Sequence, residues 1–469
     1  MKKIKILIIS LSLVLLCSFT FLIVNALATN KVEGSKGLTY HLSDDGTYYI
    51  VSDYNFGLSE ADLVIPEEHK GLPVKEIAND AFADRTWLKS VYIPKTITKI
   101  GHGAFGRSGI TKVYYNAENC QDFDSRNWVF YPDDKGDMNI DLVIGKDVKK
   151  IPNRLFFPLD TIPTLNPIIN SITFEEGSQL EEIGIYAFYN IDEVAEITFP
   201  SSLKKIGKYA FYGNKFTNIT FNEGLEVIEE HAFDNSKELT TLSLPNSIQN
   251  VGKAAFRNCL VLESVNCLSS AYTTVSADTF KYCGNLTDIN LPNVTEINES
   301  AFESCTALTA YNMPNIKKIG KSAFRNCTGI VEITLDKNLE TIENNAFEGC
   351  TKVEEIIFRS SKLNDLEAAN AAFYNCGSES NGIKVVIEGE VTSVPKRLFL
   401  SSSNSANLPN ITEIVINAQS LNLIDDYAFG YIEASVTYVG TKTMWGNVKV
   451  NLGNNCFSKV NCVKELAGE

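Results

Sequence analysis

The dipeptide Ala-Phe returns along this chain in one phase, ending at Phe82, Phe105, Phe188, Phe211, Phe233, Phe256, Phe302, Phe324, Phe347, Phe373 and Phe429. Leu155-Phe156, Thr279-Phe280 and Leu398-Phe399 keep the same register, giving 14 copies; from Phe188 to Phe347 every spacing is 22 to 24 residues. So persistent a period requires a stack of similar coils, each too small to bury its own apolar side alone.

One copy can be read residue by residue. In Leu239 to Pro245 the alternation is that of a short strand, with Leu242 and Leu244 inward and Thr241, Ser243 and Pro245 outward. Pro245 ends the strand because it has no N–H to give a ladder. Ile248 and Val251 are inward knobs on the next side of the coil. A turn residue follows, glycine in five copies (Gly101, Gly184, Gly207, Gly252 and Gly320), and Ala-Phe then fills the far wall. The pattern predicts a solenoid of β-strands and irregular segments, a curved rod with one strand per repeat, over residues 75–435. Its outward strand positions are Tyr92, Tyr114, Thr198, Thr220, Ser243, Asn290, Asn312 and Thr334, flanked by Glu196, Glu332, Glu355 and Glu413.

These copies resemble the BspA-type leucine-rich repeat. The ends agree: Leu38 to Val51, followed by Val64-Ile65-Pro66 and Gly71-Leu72-Pro73-Val74, is similar to the family's N-terminal cap, placed here at 29–74. Tyr438 to Trp445 and Val460-Asn461-Cys462 are similar to its C-terminal cap, at 436–469. The resemblance implies a leucine-rich-repeat solenoid that is secreted or surface-attached, an adhesin-like protein binding host matrix proteins or the surface proteins of neighbouring cells. A self-associating cell-envelope scaffold is the alternative.

Residues 1–28 are of another kind. Lys2, Lys3 and Lys5 precede an apolar run from Ile6 to Val24, and Ala26-Leu27-Ala28 supplies small residues where a signal peptidase reads, at Ala26 and Ala28. Cleavage would give a secreted or surface-exposed chain. Left uncleaved, the 19-residue run is long enough to anchor the protein in a bilayer, the one membrane contact expected. Loss of the three leader lysines takes the net charge from −15 to −18, which argues against a nucleic-acid partner.

Departures from the period are where contact loops would be inserted. The gap between Phe105 and Phe156 reads as an insertion at 116–138 carrying Trp128, Phe130, Tyr131, Asp133 and Asp134, the first candidates for ligand contact. Tyr92 and Tyr114 on the strand face are the second. Two later gaps, with Pro158, Pro163 and Pro167 in one and Ser401 to Asn407 in the other, read as tolerated or contact-forming insertions.

Six cysteines, Cys259, Cys283, Cys305, Cys327, Cys350 and Cys376, each lie three residues after a repeat Phe. Stacked coils would line them up side by side, a poor arrangement for disulfides and for a tetrahedral metal site, so a row of buried free thiols is expected. Cys456 and Cys462 are the candidates for a disulfide. The histidines (His41, His69, His102, His231) are scattered, and no zinc, nucleophile-elbow or phosphate-loop motif is present. A protein without catalytic activity, metal or cofactor is the expectation.

Overall fold

The computed structural model describes residues 33–53, 57–124, 127–132, 138–157, 168–191, 193–311, 313–400 and 408–463. Ala26, Ala28, Asp133, Asp134, Asn312 and the two later gaps therefore lie outside the described residues. The chain divides into two compact units: Met1–Val148 with Pro158–Gly177, and Lys149–Phe157 with Ser178–Glu469.

Both units are built from the same coil. Its first side is a strand of three to seven residues, as in Thr241–Leu244, whose alternating exposure puts Leu242 and Leu244 inside. Every coil travels in the same direction, so these strands pair in parallel: Leu242 with Val265 and Val265 with Ile289 in the second unit, Val91 with Val113 and Val113 with Leu142 in the first. A second, two-residue ladder runs through Lys205–Ile206, Val227–Ile228 and Asn250–Val251. Pro245, expected outward, is buried: its carbonyl accepts from Ile248 N–H at 3.2 Å, and this tight corner folds the ring inward.

The third side is a turn that stacks as regularly as the strands. Most of the Phe N–H groups donate to the carbonyl of the residue before the next Phe, as from Phe211 to Ala232 (2.9 Å) and from Phe233 to Ala255 (2.8 Å). Holding that register demands left-handed backbone two residues before the Phe, at φ 56° for Tyr209, 58° for His231 and 54° for Ala254. A second left-handed residue comes two after it, as at Asn235 and Asn258. The rings stack 5.6 Å apart from Phe82 to Phe105 in the first unit, and 5.2 to 6.0 Å apart from Phe156 through Phe373 in the second. A buried Phe of this kind contributes on the order of 1.5–3 kcal/mol.

The cysteine row is present. All six thiols are buried and free, and each Sγ lies within 3.0 to 3.7 Å of the carbonyl oxygen of a preceding repeat Phe, as Cys305 does on Phe280 and Cys327 on Phe302. The niche is therefore a capping position for a Phe carbonyl, that of the preceding coil where Cys holds it and that of the same coil where Ser108, Asn214 and Ser236 do. Burial pushes the Cys259, Cys305, Cys327 and Cys350 thiols well above their usual range. Cys456 and Cys462 are free as well. Cys456 sits in the helical turn Asn455–Ser458 and Cys462 on the strand Val460–Val463, opposite Tyr438, so the chain carries the two thiols onto different elements.

The ends are closed by polar and aromatic locks. In the first unit Arg85 Nε meets Asp53 Oδ2 at 2.8 Å with both side chains buried. In the second, Trp445 on the short helix Lys442–Trp445 packs on Tyr438 and Phe457.

Candidate binding surface

Two positions of the turn, two before and one after each Phe, vary in residue type from coil to coil while the backbone under them repeats. In the first unit they carry Trp128 and Tyr131. Residues 127–131 are a repeat turn in register: Gly103, Phe105 and Arg107 N–H groups donate to the carbonyls of Asn127, Val129 and Tyr131 at 2.7 to 2.9 Å. Phe130 is thus a repeat ring, 3% exposed and stacked 5.2 Å from Phe105, and it is withdrawn from the contact candidates. What reads in sequence as an insertion is a coil whose Ala-Phe has become Val129-Phe130.

The two neighbouring aromatics lie down on the coil before. Trp128, at φ 45°, has its ring 4.9 Å from that of His102, and Tyr131 covers Gly106, where a Cβ would come 1.9 Å from the ring. Arg107 holds Asp84 through two bonds of 2.7 and 2.8 Å, lies 5.3 Å over the Tyr131 ring and donates to its hydroxyl. Beside them opens a cleft of about 470 Å³ lined by Trp128, His102, Lys99, Gln121, Asp122 and Asp124. On the strand face of the same unit, Tyr92 and Tyr114 are register neighbours in a row that continues to Val64 and Val143. Burial, then the charges of Glu67 and Glu175, push the Tyr92 hydroxyl up to about 12. Lys112 Nζ stands 5.1 Å over the Tyr114 ring.

The second unit holds a larger aromatic set at the same turn positions, none of it among the sequence candidates. Tyr186 and Tyr209 stack at 4.9 Å and 3°, and Tyr209 continues onto His231 at 4.5 Å and 5°. A second column, Tyr189 on Tyr212, runs beside it at 4.8 Å and 5°. Phe157 closes one end against Tyr186 and Tyr189, with Arg154 over Phe157 and Tyr186. Lys208 stands 5.4 Å over the Tyr209 ring and bonds Glu230 at 2.7 Å; His231 lies between Glu230 and Asp234. The signal was in plain view: Tyr-Ala-Phe-Tyr occurs at 186–189 and again at 209–212.

Residues 63–166, 164–276 and 273–406 match the BspA type leucine rich repeat region (six copies), more than half of the chain. The chain belongs to this family. Solved structures similar to it include the pneumococcal vaccine antigen PcpA, at 20% identity over 92% of this chain and 98% of that one, with a TM-score of 0.40. A leucine rich cell surface protein of Faecalibacterium prausnitzii A2-165 is 19% identical over 90% and 98%, at 0.35. A leucine-rich repeat protein of Bacteroides ovatus ATCC 8483 is 22% identical over 70% and 94%, at 0.31. No curated relative matches. The membership rests on the repeat match; likenesses with TM-scores this low add no weight to it. Among the described residues no cluster of three His, Cys, Asp or Glu side chains is placed to hold a metal.

Proposed function

We propose that this BspA-type repeat protein is a non-catalytic binding protein of the cell surface or the secreted space, adhesin-like, that holds a protein partner against the aromatic turn wall of its repeats. The observation that carries the reading is the left-handed backbone under those rings. Trp128, Tyr186, Tyr209 and His231 occupy φ 45° to 58°; Arg154, Arg397 and Tyr427 hold the same position in other coils at φ 57° to 61°, and Ala254, Asp278, Ser300, Ser322 and Asn345 hold it in five more. A bulky side chain in this conformation is an uncommon and costly choice, about 1–2 kcal/mol per residue, and strain of this kind gathers at functional sites. Tyr, Trp and Arg are also the residues that dominate protein interfaces. Tyr189 and Tyr212 extend the contact in the second unit; Trp128 and Tyr131 are its counterparts in the first, with Tyr92 and Tyr114 a separate pair on the strand face. The leader-like residues 1–28 and the family support export.

The test is binding of the chain from Thr29 onward to purified extracellular-matrix and epithelial surface proteins, measured by biosensor. A saturable partner whose affinity falls at least tenfold in the Tyr189→Ala, Tyr212→Ala double variant is the expected result. Absence of any saturable partner, with concentration-dependent self-association of the same material, would replace the adhesin by an envelope scaffold.

A further inference from the structure

The ladder of first-side strands in the second unit is interrupted once where every residue on both sides is described. Asn218–Thr220 pairs with Glu196–Thr198, and Thr241–Leu244 pairs with Ser264–Cys267, yet no ladder joins Asn218–Thr220 to Thr241–Leu244. At some other strands the residue that follows ties its coil to the one before, as Arg359 N–H does to the Leu335 carbonyl at 2.9 Å and Asn116 N–H to Ile93 at 3.0 Å. Here that residue is Pro245, which has no N–H to donate. The interruption coincides with a cleft of about 420 Å³, within the range of small-ligand sites (about 300–1,000 Å³).

The lining is small, polar and almost uncharged. Asn218, Thr220, Thr241 and Ser243 are exposed, and among the described residues no hydrogen bond engages their side chains. Asn266 lies beyond them, its Oδ1 accepting from Asn290 Nδ2 at 2.7 Å, which leaves its NH₂ as the free donor. The one lining carboxylate, Glu223, is pinned at the rim: Asn246 N–H and Nδ2 and Ser247 N–H donate to it at 3.0 to 3.1 Å. Leu268, 53% exposed, and Phe221 supply an apolar lip. The outward positions of these three strands, Asn218, Thr220, Thr241, Ser243, Ser264 and Asn266, carry no charge, in a chain of which 21% is charged and beside strands bearing Glu196 and Asp288.

We infer that this cleft binds a short neutral oligosaccharide. Free hydroxyls and amides with both donor and acceptor capacity match a sugar's hydroxyls, and the Leu268 lip suits the apolar C–H face of a pyranose. No cation lines the cleft to draw in an anionic ligand. This site is separate from the aromatic turn wall and stands or falls independently of the protein-binding reading.

Titration calorimetry of the purified protein against maltose, cellobiose, lactose, mannobiose and chitobiose tests it. At least one sugar is expected to bind saturably, with affinity falling about tenfold in Asn266→Ala and again in Ser243→Leu, while Thr334→Leu on another strand face changes nothing. Both cleft positions are on the exposed face, and unchanged thermal melts would verify that the variants fold; should Ser243→Leu melt early, Asn266→Ala alone decides. No saturation by any of these sugars, binding that both cleft variants leave intact, or occupation of the cleft by an extended peptide instead would overturn the inference.

Discussion

Within the second unit, the coils around Phe188, Phe211 and Phe233 and those from Phe256 to Phe347 share one backbone and one buried ring column, yet their outer walls differ. In the first stretch the position after the ring is Tyr189, then Tyr212. From Asp234 onward it becomes an ion-pair ladder: Asp234 with Arg257 at 2.7 Å, Lys281 with Glu303 at 2.8 Å, Arg325 with Glu348 at 3.3 Å. The difference teaches that the core leaves this wall unconstrained. Paired charges cover it in one stretch, and half-buried stacked rings cover it in the other. The niche inside the turn changes over the same boundary, from Asn214 and Ser236 to Cys259 and its successors, and in both forms it caps a Phe carbonyl.

If the contrast is confined to the outer wall, removing the shared ring should cost the same in both stretches. Phe211→Ala and Phe324→Ala are each expected to destabilise their coils by about 3–5 kcal/mol, since both rings are fully buried and stack on two neighbours. Urea unfolding with hydrogen exchange resolved by peptide would measure it, because coil stability in a solenoid is local. A markedly smaller loss at Phe211 would break the comparison, by making the outer tyrosines share the work of the core.

The boundary residue is the next most informative. Asp234 is fully buried and accepts from His231 Nδ1 at 2.8 Å and from Arg257 Nη2 and Nε at 2.7 and 3.1 Å. Asp234→Ala leaves those donors without their acceptor, a cost of about 1–3 kcal/mol. It should also loosen His231 from the end of the tyrosine column. Thermal melts would read the first effect and loss of partner affinity the second; an unchanged melt would detach the aromatic stretch from the ladder that follows it.

How much of this was legible in the sequence follows from what sets each feature. The ring column, the inward leucines and the cysteine row repeat with the coil, so phase alone revealed them. Phe130 is hidden because its predecessor is Val129 rather than Ala and it lies 25 residues after Phe105, outside the 22 to 24 of the regular copies. Tyr186, Tyr189, Tyr209 and Tyr212 share that phase, but which outward residues stack depends on the left-handed turn, a backbone property that composition does not carry. The cleft beside Pro245 is harder still: prolines follow strands elsewhere, as Pro94 follows Ser90–Ile93 in an unbroken ladder, so the residue alone does not announce the gap.

The smallest expected effect separates the two walls by their charges. In the aromatic stretch Lys208 bonds Glu230 at 2.7 Å, with both side chains about two-fifths exposed. The bond from Lys208 holds the Glu230 carboxyl below its usual 4.5, and the same bond raises Lys208 above its usual 10.5. A depressed carboxylate contributes stability that is present above the unfolded value and is lost as pH falls through the lower folded one. A raised lysine contributes stability lost only as pH climbs past its folded value. The pair therefore acts between roughly pH 4.5 and 10.5, and at that exposure it is worth at most about 1 kcal/mol, less in salt. In the ion-pair stretch Lys281 and Glu303 are far less exposed, at 19% and 11%, so removing one partner there strands a more desolvated charge. Urea midpoints across this pH range for Glu230→Gln and Glu303→Gln should show a small loss for the first, vanishing in acid and at high salt, and a larger loss for the second that salt relieves less. Equal losses would mean that the aromatic wall depends on its charges as much as the ladder does, and the contrast between the two stretches would then lie in the rings alone.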